Sequence, residues 1–345
     1  MKKKVKTKAK SKKKRPLGKG RLIARIVSIT LVLAVVACCA VGDWFVHQPR
    51  EWLDAHRAFY TAPLWYFGNR TAFITDALDW TGHDAVYDFD EPAPTNAVLF
   101  AGAPARVGDP APDDIQVLDR GEFMIGWSPS LRHPVWAAYH VVRDARFDAL
   151  KRPNFQKDRN VASSPAANDY ARSGYDRGHL VPNRAIVTRY GPDEQEKTFL
   201  MTNISPQRPA LNRGPWREME QRIADLWTAR FGEIWVIVGA VSPVAGRTTL
   251  ESTTIDVPQQ YYMLIAAQDN DGVRALAVLL PQTAEVNDFP VHNIVTIKEL
   301  EAATGLKFFP DMPKFLAKYL KADRPTRLWP IRWQDIVKLI LLRFT

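Results

Sequence analysis

The sequence has almost no cysteine. Its two thiols, Cys38 and Cys39, are adjacent and lie within one apolar stretch, and no cysteine follows them. This absence excludes a disulfide framework and a cysteine-ligated zinc site from the folded region. It is compatible with an oxidising compartment but does not require one.

The first 25 residues lack acidic side chains and carry 13 of the 47 lysines and arginines. Removing those 13 leaves 34 basic residues against 37 acidic ones, so the formal net charge of +10 belongs to this tail. We expect residues 1–25 to form a basic disordered tail. The folded region has no overall basic excess, and contact with a polyanion there must come from a local arginine cluster.

The next stretch lacks charge altogether. Residues 26–42 are 17 uncharged residues rich in Ile, Val, Leu and Ala, and Trp44 follows as a typical interfacial residue. We therefore predict a single-pass transmembrane anchor over residues 26–45, with a cytoplasmic N-terminus and the remainder on the periplasmic or extracytoplasmic side. Two other exported forms stay open, a cleaved signal peptide and a lipoprotein attached through Cys38.

Beyond the anchor, composition divides the chain into three parts. We interpret residues 46–114 as a membrane-proximal helical segment and a Pro-rich linker, and residues 115–322 as the main domain. Residues 323–345 form an amphipathic C-terminal segment that lies on a membrane or packs on the domain. Periodicity predicts strands at 122–127, 135–142, 234–240, 261–267 and 273–280, and helices at 216–231 and 295–304. This pattern predicts a domain of mixed α and β structure.

The segment Asp176-Arg177-Gly178-His179 combines an acid, an arginine and a histidine. Imidazole has an ordinary pKa of about 6.5, near the working pH, and arginine favours a phosphate. The combination suits hydrolysis of a phosphodiester with the histidine as base. A purely structural histidine at a strand end is the alternative reading of this segment alone.

A second cluster contains Asn212 and, eight residues later, Glu220. A helix that begins near Asn212 would place both side chains toward one cavity, because eight residues make about two turns. An amide oxygen beside a carboxylate is a hard-oxygen site that suits Mg²⁺. Alternatively, Asn212 caps the helix and Glu220 makes a surface ion pair.

Three motifs together resemble the DNA/RNA non-specific endonuclease family, which includes secreted sugar-non-specific nucleases and mitochondrial endonuclease G. They are the segments 176–179, 203–207 and 211–216, followed by Glu220, in the family's order over about 45 residues. Weaker likeness extends from about residue 121 to residue 310. Together with the mixed pattern, the resemblance implies an α+β fold in which a central antiparallel sheet carries a ββα-metal (His-Me finger) motif.

The resemblance also implies the principal roles in the site. His179 would be the general base that activates a water. Asn212 would be the direct protein ligand of the metal, and Glu220 would hold metal-bound waters. The implied cofactor is Mg²⁺, with Mn²⁺ as a substitute.

Further residues receive supporting roles from the same resemblance. Asn203 would orient the histidine or the substrate phosphate, and Arg177 would assist phosphate binding. A family arginine upstream of the histidine motif corresponds best to Arg152, with Arg143 and Arg146 as alternatives.

We therefore expect a metal-dependent endonuclease that hydrolyses DNA and/or RNA and contacts the phosphate backbone. The folded region lacks a zinc finger and an arginine-rich helix, so nothing in it indicates base-specific reading. Two other functions stay open: a phosphodiesterase on another substrate, and a catalytically inactive nucleic-acid-binding envelope protein. The intact His179, Asn212 and Glu220 favour the enzyme. The sequence leaves the oligomeric state open, a homodimer included.

Overall fold

The structure is a computed structural model of the chain. It describes residues 86–87, 93–106, 115–148, 151–243, 245–269 and 272–331, together with Thr30, Gln48 and Trp52. The predicted basic tail and nearly all of the predicted anchor over 26–45 lie outside the described residues, as does most of the membrane-proximal segment. Among the residues described, no helix has the length and apolar character needed to cross a membrane.

The described strands are β1 (Val86–Tyr87), β2 (Ala105–Arg106), β3 (Gln116–Asp119), β4 (Phe123–Ser128), β5 (His133–Val142), β6 (Asp176–His179), β7 (Ile204–Gln207), β8 (Glu233–Val241), β9 (Gln260–Asp269), β10 (Gly272–Pro281), β11 (Ile294–Val295) and β12 (Leu306–Lys307). The helices with described bounds are α1 (Asn183–Tyr190), α2 (Pro192–Thr198), α3 (residues 209–231), α4 (Ile297–Thr304) and α5 (Lys314–Leu320). In the described part of the chain, 3₁₀ turns cover Ala167–Tyr170, Met201–Asn203 and Pro290–Asn293.

A central antiparallel sheet organises these elements, as the sequence predicted. Its strand order is β1-β10-β9-β8-β5-β4-β3, and β11 also pairs with β10. Most residues of β5, β8, β9 and β10 are buried, and the less buried ones lie mainly at the strand ends. Strands buried on both faces carry apolar residues continuously rather than in alternation, which explains the uninterrupted apolar run in β8.

Each face of the sheet has its own apolar layer. One layer includes residues of α1 and α3 and side chains from alternate positions of the strands. The opposite layer includes α4, α5 and the segment 93–101. Since alternate side chains of a strand point to opposite faces, Tyr139 of β5 belongs to the first layer and Ala138 to the second.

The two strands of the histidine motif are not part of the central sheet. β6 and β7 pair only with each other among the described strands, antiparallel, with His179 opposite Ile204. The expectation that the central sheet itself carries the ββα motif is therefore wrong in this detail. A hydrogen bond from Tyr261 Oη of β9 to the carbonyl of Pro206 (2.5 Å) ties the small sheet to the large one.

Helix α3 follows β7 and is irregular. Its successive segments are Pro209–Leu211, Asn212–Trp216, Arg217–Gln221, Arg222–Trp227 and Thr228–Phe231, and the second and fourth have π-type hydrogen bonding. Gly214 has non-helical angles (φ −105°, ψ −115°), and a Cβ there would lie 2.7 Å from the backbone of Val286. The predicted helix at 216–231 is present, but it begins earlier and contains Pro215 instead of starting there.

Two expected segments at the borders of the domain belong partly to its core. The Pro-rich stretch was expected to be a linker, yet Val98, Leu99 and Phe100 are buried and β2 pairs with β12. Of the expected C-terminal segment 323–345, residues 323–331 are described. Trp329 is fully buried there, with its ring centroid 5.4 Å from that of Trp227. The folded unit therefore extends beyond residues 115–322 in both directions.

Candidate active site

Strand β6 presents Arg177 and His179 on one side, since they are two residues apart. Between them, Gly178 lies against β7 so closely that a Cβ would be 2.1 Å from Oε1 of Gln207. Only glycine fits this approach without displacing Gln207, whose side chain is buried. The glycine in the histidine motif is thus explained by packing between the two strands.

Asn203 lies behind the histidine and is fully buried. Its Oδ1 accepts a hydrogen bond from the Val181 amide (2.9 Å), and its Nδ2 donates to the carbonyls of Val181 (3.0 Å) and Thr198 (2.9 Å). The side chain therefore fixes the backbone just after His179. Of the two roles implied by the resemblance, this geometry supports orientation of the histidine.

The His179 ring is 7% exposed and lies between two phenylalanines. Its centroid is 5.3 Å from that of Phe155 and 4.8 Å from that of Phe199, the latter nearly perpendicular. Burial, helped by the positive charge of Arg152, lowers the pKa of His179 to about 3. The imidazole is therefore uncharged at neutral and mildly acidic pH.

The two ring nitrogens of His179 differ in access. Nε2 is buried and has no hydrogen-bond partner among the described residues. This leaves Nδ1 as the nitrogen available to a water or substrate from the solvent side. A proton acceptor at Nδ1 requires the ring proton on Nε2.

Glu220 lies on α3 and shares an electrostatic neighbour with the histidine. Burial raises its pKa to about 8, against the lowering effects of a hydrogen bond from Trp216 and the charges of Arg152 and Arg217. The Trp216 indole donates to Glu220 Oε1 at 3.0 Å. The charge of Arg152 lowers the pKa of both His179 and Glu220, so Arg152 lies near both side chains.

The two candidate arginines of the site each lie over one phenylalanine ring. The guanidinium carbon of Arg152 is 5.6 Å from the Phe199 centroid, and that of Arg177 is 5.5 Å from the Phe155 centroid. Arg177 also donates through Nε to the carbonyl of Ala167 (2.9 Å). Arg152 is exposed and Arg177 is partly exposed, so both charges are accessible to a phosphate.

The alternatives Arg143 and Arg146 are attached elsewhere. Their backbone amides bond to Gly232 and Thr188 respectively, and neither charge contributes to the shift at His179. The geometry supports Arg152 as the upstream arginine of the site.

Asn212 is oriented by Asp176 at the start of β6. Its Nδ2 donates to Asp176 Oδ2 at 2.8 Å, and Arg213 makes two further bonds to the same carboxylate (2.9 and 2.7 Å). Burial opposes ionisation of Asp176, but the bonds from Arg213 and Asn212 outweigh it and lower its pKa. With its nitrogen directed to Asp176, Asn212 has its carbonyl oxygen free of that contact.

This arrangement suits a hard cation that keeps most of its waters. The described residues contain no group of three or more His, Cys, Asp and Glu side chains that could hold a metal ion. A site built on one amide oxygen, with a carboxylate to bind coordinated water, matches the way Mg²⁺ is held, whereas a closed zinc site needs three or four protein ligands. The donors present therefore fit the implied cofactor.

Several residues of the site were not predicted. Phe155 and Phe199 come close to His179 only through the fold, and no local pattern distinguishes them from core aromatics. Trp216 lies within the third motif, four residues before Glu220 on the same helix, but its hydrogen bond to Glu220 was not predicted. Asp176 was within the recognised motif, and the signal for its role was its place at the start of the strand that ends in His179.

We expect His179 to make the protein less stable in acid. Its pKa is lowered from 6.5 to about 3, so between these values the unfolded chain binds a proton that the folded chain does not. The contribution of His179 to the free energy of unfolding is fully present above pH 6.5 and decreases as the pH falls toward 3. Between pH 7 and pH 5, the free energy of unfolding should fall by roughly 2 kcal/mol more in wild type than in His179→Gln, at 1.36 kcal/mol per pKa unit. Urea unfolding at the two pH values measures this difference. Equal losses in wild type and His179→Gln would contradict the buried neutral imidazole.

Comparison with known proteins places this geometry in a family. The sequence model of the DNA/RNA non-specific endonuclease family matches residues 101–315. Mitochondrial nuclease EXOG of Xenopus laevis is 29% identical over 235 residues, which cover 63% of this chain and 62% of that protein. Nuclease C1 of Cunninghamella echinulata var. echinulata is 30% identical over 233 residues, covering 62% of this chain and 88% of that protein.

The fold is shared with a solved structure. A chain from the crystal structure of the EndoG/EndoGI complex superposes with a TM-score of 0.53 at 23% identity, covering 60% of this chain and 90% of that one. The family match spans more than half of the chain and includes all the candidate site residues. The chain belongs to the DNA/RNA non-specific endonuclease family.

Proposed function

We propose that this protein is a Mg²⁺-dependent endonuclease that hydrolyses phosphodiester bonds of DNA and RNA, with His179 as the general base. The observation that carries the proposal is the state of His179. Its imidazole is uncharged, has one nitrogen open to solvent, and lies beside an exposed arginine. A general base must be unprotonated before it accepts a proton, and the exposed guanidinium of Arg152 beside it suits a phosphate, which a purely structural histidine would not need.

The chemistry of the described side chains follows from their protonation. His179 Nδ1 accepts a proton from the water that attacks phosphorus. Arg152 and Arg177 remain charged and stabilise the negative charge that develops on the phosphate oxygens. Asn203 holds the backbone after His179, so that the ring does not have to be oriented during the reaction.

Asn212 would hold the metal through Oδ1, and Glu220 would orient its coordinated waters. When bound, Mg²⁺ supplies a positive charge that neutralises the substrate phosphate and stabilises the leaving oxygen. Mn²⁺ accepts the same oxygen donors and would substitute. Glu220 must lose its proton to take this part, which its raised pKa opposes until the cation is present.

The substrate would be recognised through its phosphate backbone. Residues 26–345 carry no basic excess, so binding depends on local arginines such as Arg152 and Arg177. Contacts of this kind do not distinguish bases, and they weaken as salt is added. The relatives named as nucleases support this substrate class for the present chain.

We also propose that residues 26–45 anchor the protein in a membrane, with the catalytic domain on the periplasmic or extracytoplasmic side. The support is the uncharged run at 26–42 directly after a basic tail.

The nuclease assignment is tested with the purified full chain on supercoiled plasmid and total RNA. Wild type should cleave both with Mg²⁺ or Mn²⁺ and neither with EDTA. His179→Ala should lower the cleavage rate by about 10² to 10⁴-fold, the usual contribution of a general base. His292→Ala is the matched control and should cleave like wild type. Intact substrates under every divalent metal would overturn the proposal and leave a nucleic-acid-binding protein as its replacement.

The metal site is tested through Asp176, because this carboxylate fixes which atom of Asn212 faces outward. In Asp176→Asn the amide of Asn212 loses its acceptor and the local negative charge disappears. The Mg²⁺ concentration that gives half-maximal cleavage should rise about 10 to 100-fold, as for other groups that orient a metal ligand. Arg213→Gln removes the other partner of Asp176 but keeps its charge, and should not raise the Mg²⁺ requirement. An unchanged midpoint in Asp176→Asn would exclude this role.

The anchor is tested by alkaline extraction of membranes from cells that produce the chain. The full chain should stay in the membrane pellet, and a chain without residues 1–45 should not. If the Cys38→Ala variant is released from the membrane pellet while the unaltered full chain stays, the protein is a lipoprotein. Recovery of the full-length gene product as a shortened soluble form would identify a cleaved signal peptide.

A further inference from the structure

The rings of Phe155, His179 and Phe199 form one three-ring cluster. The centroid distances are 5.3 Å from Phe155 to His179, 4.8 Å from Phe199 to His179 and 5.2 Å between the two phenylalanines. Each ring therefore contacts both of the others. Phe199 is 1% exposed, whereas Phe155 is partly exposed and covers the cluster from outside.

The backbone places the two phenylalanines side by side. Gln156 and Leu200 form a parallel bridge, in which the Gln156 amide donates to the Phe199 carbonyl (3.0 Å) and the Met201 amide donates to the Gln156 carbonyl (2.8 Å). Phe155 and Phe199 each precede a bridge partner, so both side chains lie on the same side of the bridge.

A buried side chain secures this junction further along. Asp158 is 2% exposed, accepts a hydrogen bond from Thr202 Oγ1 (2.9 Å) and pairs with Arg120. Thr202 precedes Asn203, the residue that fixes the backbone after His179. The segment that carries Phe155 and the segment that carries Phe199 are therefore attached to the same support as the histidine.

A histidine that acts as a base usually has its second nitrogen held by a carboxylate or a carbonyl, which fixes the tautomer. At His179 no oxygen in the described part of the chain bonds to Nε2, and the atom is buried. The His179 ring that carries this atom packs against both phenylalanine rings of the cluster. An N–H group directed at an aromatic ring is a weak hydrogen bond, and apolar enclosure disfavours the charged imidazolium.

We propose that Phe155 and Phe199 are positioning residues that enclose Nε2 of His179 and so keep the imidazole uncharged, with its proton on Nε2 and Nδ1 open to the substrate. This inference rests on the proposed function, since it assigns the phenylalanines a part in preparing the base. Neither residue belongs to the three motifs that carry the family resemblance.

The charged groups around the cluster act in the same direction. Arg152 lies over the outer side of Phe199 and Arg177 over Phe155. The positive charge of Arg152 disfavours a second positive charge on the imidazole. Glu220 is the acidic group whose pKa also responds to Arg152. Each phenylalanine ring thus contacts both His179 and one of the two guanidinium groups.

The tautomer is read directly from ¹⁵N shifts of the imidazole nitrogens in histidine-labelled full chain, without reference to activity. The sequence has seven histidines, and His179→Gln identifies the signal of His179 by its loss. Wild type should show protonated Nε2 and unprotonated Nδ1 down to at least pH 5. Phe155→Leu should show a mixture of tautomers and should titrate at higher pH. Phe155→Trp retains an aromatic ring and should restore the wild-type signature.

Kinetics on the same variants connect the ring to the reaction. Phe155→Leu should lower kcat about 10 to 100-fold, the cost of misplacing a catalytic group, with a smaller change in KM. The acid limb of its pH profile should move to higher pH. Phe315→Leu is the control, because Phe315 is 68% exposed on α5, on the opposite layer of the sheet. It should match wild type in both measurements.

The outcomes separate this inference from the nuclease assignment. The positioning role would be overturned if His179 of the wild type carried its proton on Nδ1, even if the protein cleaves DNA. It would also be overturned if Phe155→Leu kept the ¹⁵N shifts and the pH profile of the wild type. If no substrate is cleaved, the ¹⁵N shifts still decide whether the rings fix the tautomer. Phe199→Leu gives an independent repeat from the buried side, and circular dichroism will establish that this variant folds.

Discussion

The arrangement of the site depends on burying a histidine without its charge. An imidazole removed from water takes up a second proton, and with it a positive charge, only if a partner compensates for the lost hydration, and His179 has no such partner at Nε2 among the described residues. It is therefore a neutral base at the pH at which hydrolysis would occur. Asn203 fixes the backbone beside it, and two phenylalanines cover it. The support of the base is thus built mostly from backbone contacts and apolar rings.

The same burial acts in opposite directions on the two titratable groups of the site. It lowers the pKa of His179 to about 3 and raises that of Glu220 to about 8. Without a bound cation, both side chains are uncharged at neutral pH and Arg152 supplies the local charge. A site in this state attracts a phosphate, and a divalent cation bound with the phosphate would then favour ionised Glu220. Pairs of groups whose pKa values are separated by their surroundings are characteristic of acid–base sites.

The sequence predicted the sheet and the motifs better than the connections between them. A continuous apolar run identified β8, and a turn signal between two strand-like runs identified β9 and β10. Gly305, at φ 65°, ends α4 as the sequence predicts, whereas the Thr296 cap was not predicted and the helix begins at Ile297 rather than at residue 295. The sequence predicts a linker in the Pro-rich segment, because proline content does not indicate whether Val98 and Phe100 are buried. The ββα strands were placed in the central sheet because local pattern does not reveal pairing partners. Phe155 and Phe199 reach His179 through the parallel bridge between Gln156 and Leu200. The spacing of residues along the sequence does not predict a bridge between such distant segments.

The irregularity of α3 gives a reason why Asn212 and Glu220 were difficult to place by helical geometry alone. A regular helix turns 100° per residue, so positions eight apart differ by about 80°, but the π-type turn at Asn212–Trp216 and the non-helical Gly214 alter that rotation. Here the orientation of Asn212 is set by its bond to Asp176, and that of Glu220 by its bond to Trp216. π-type turns of this kind often occur where function requires a side chain that a regular helix would direct elsewhere. The hydrogen bonds of two individual side chains, more than the period of the helix, therefore determine which atoms face the site.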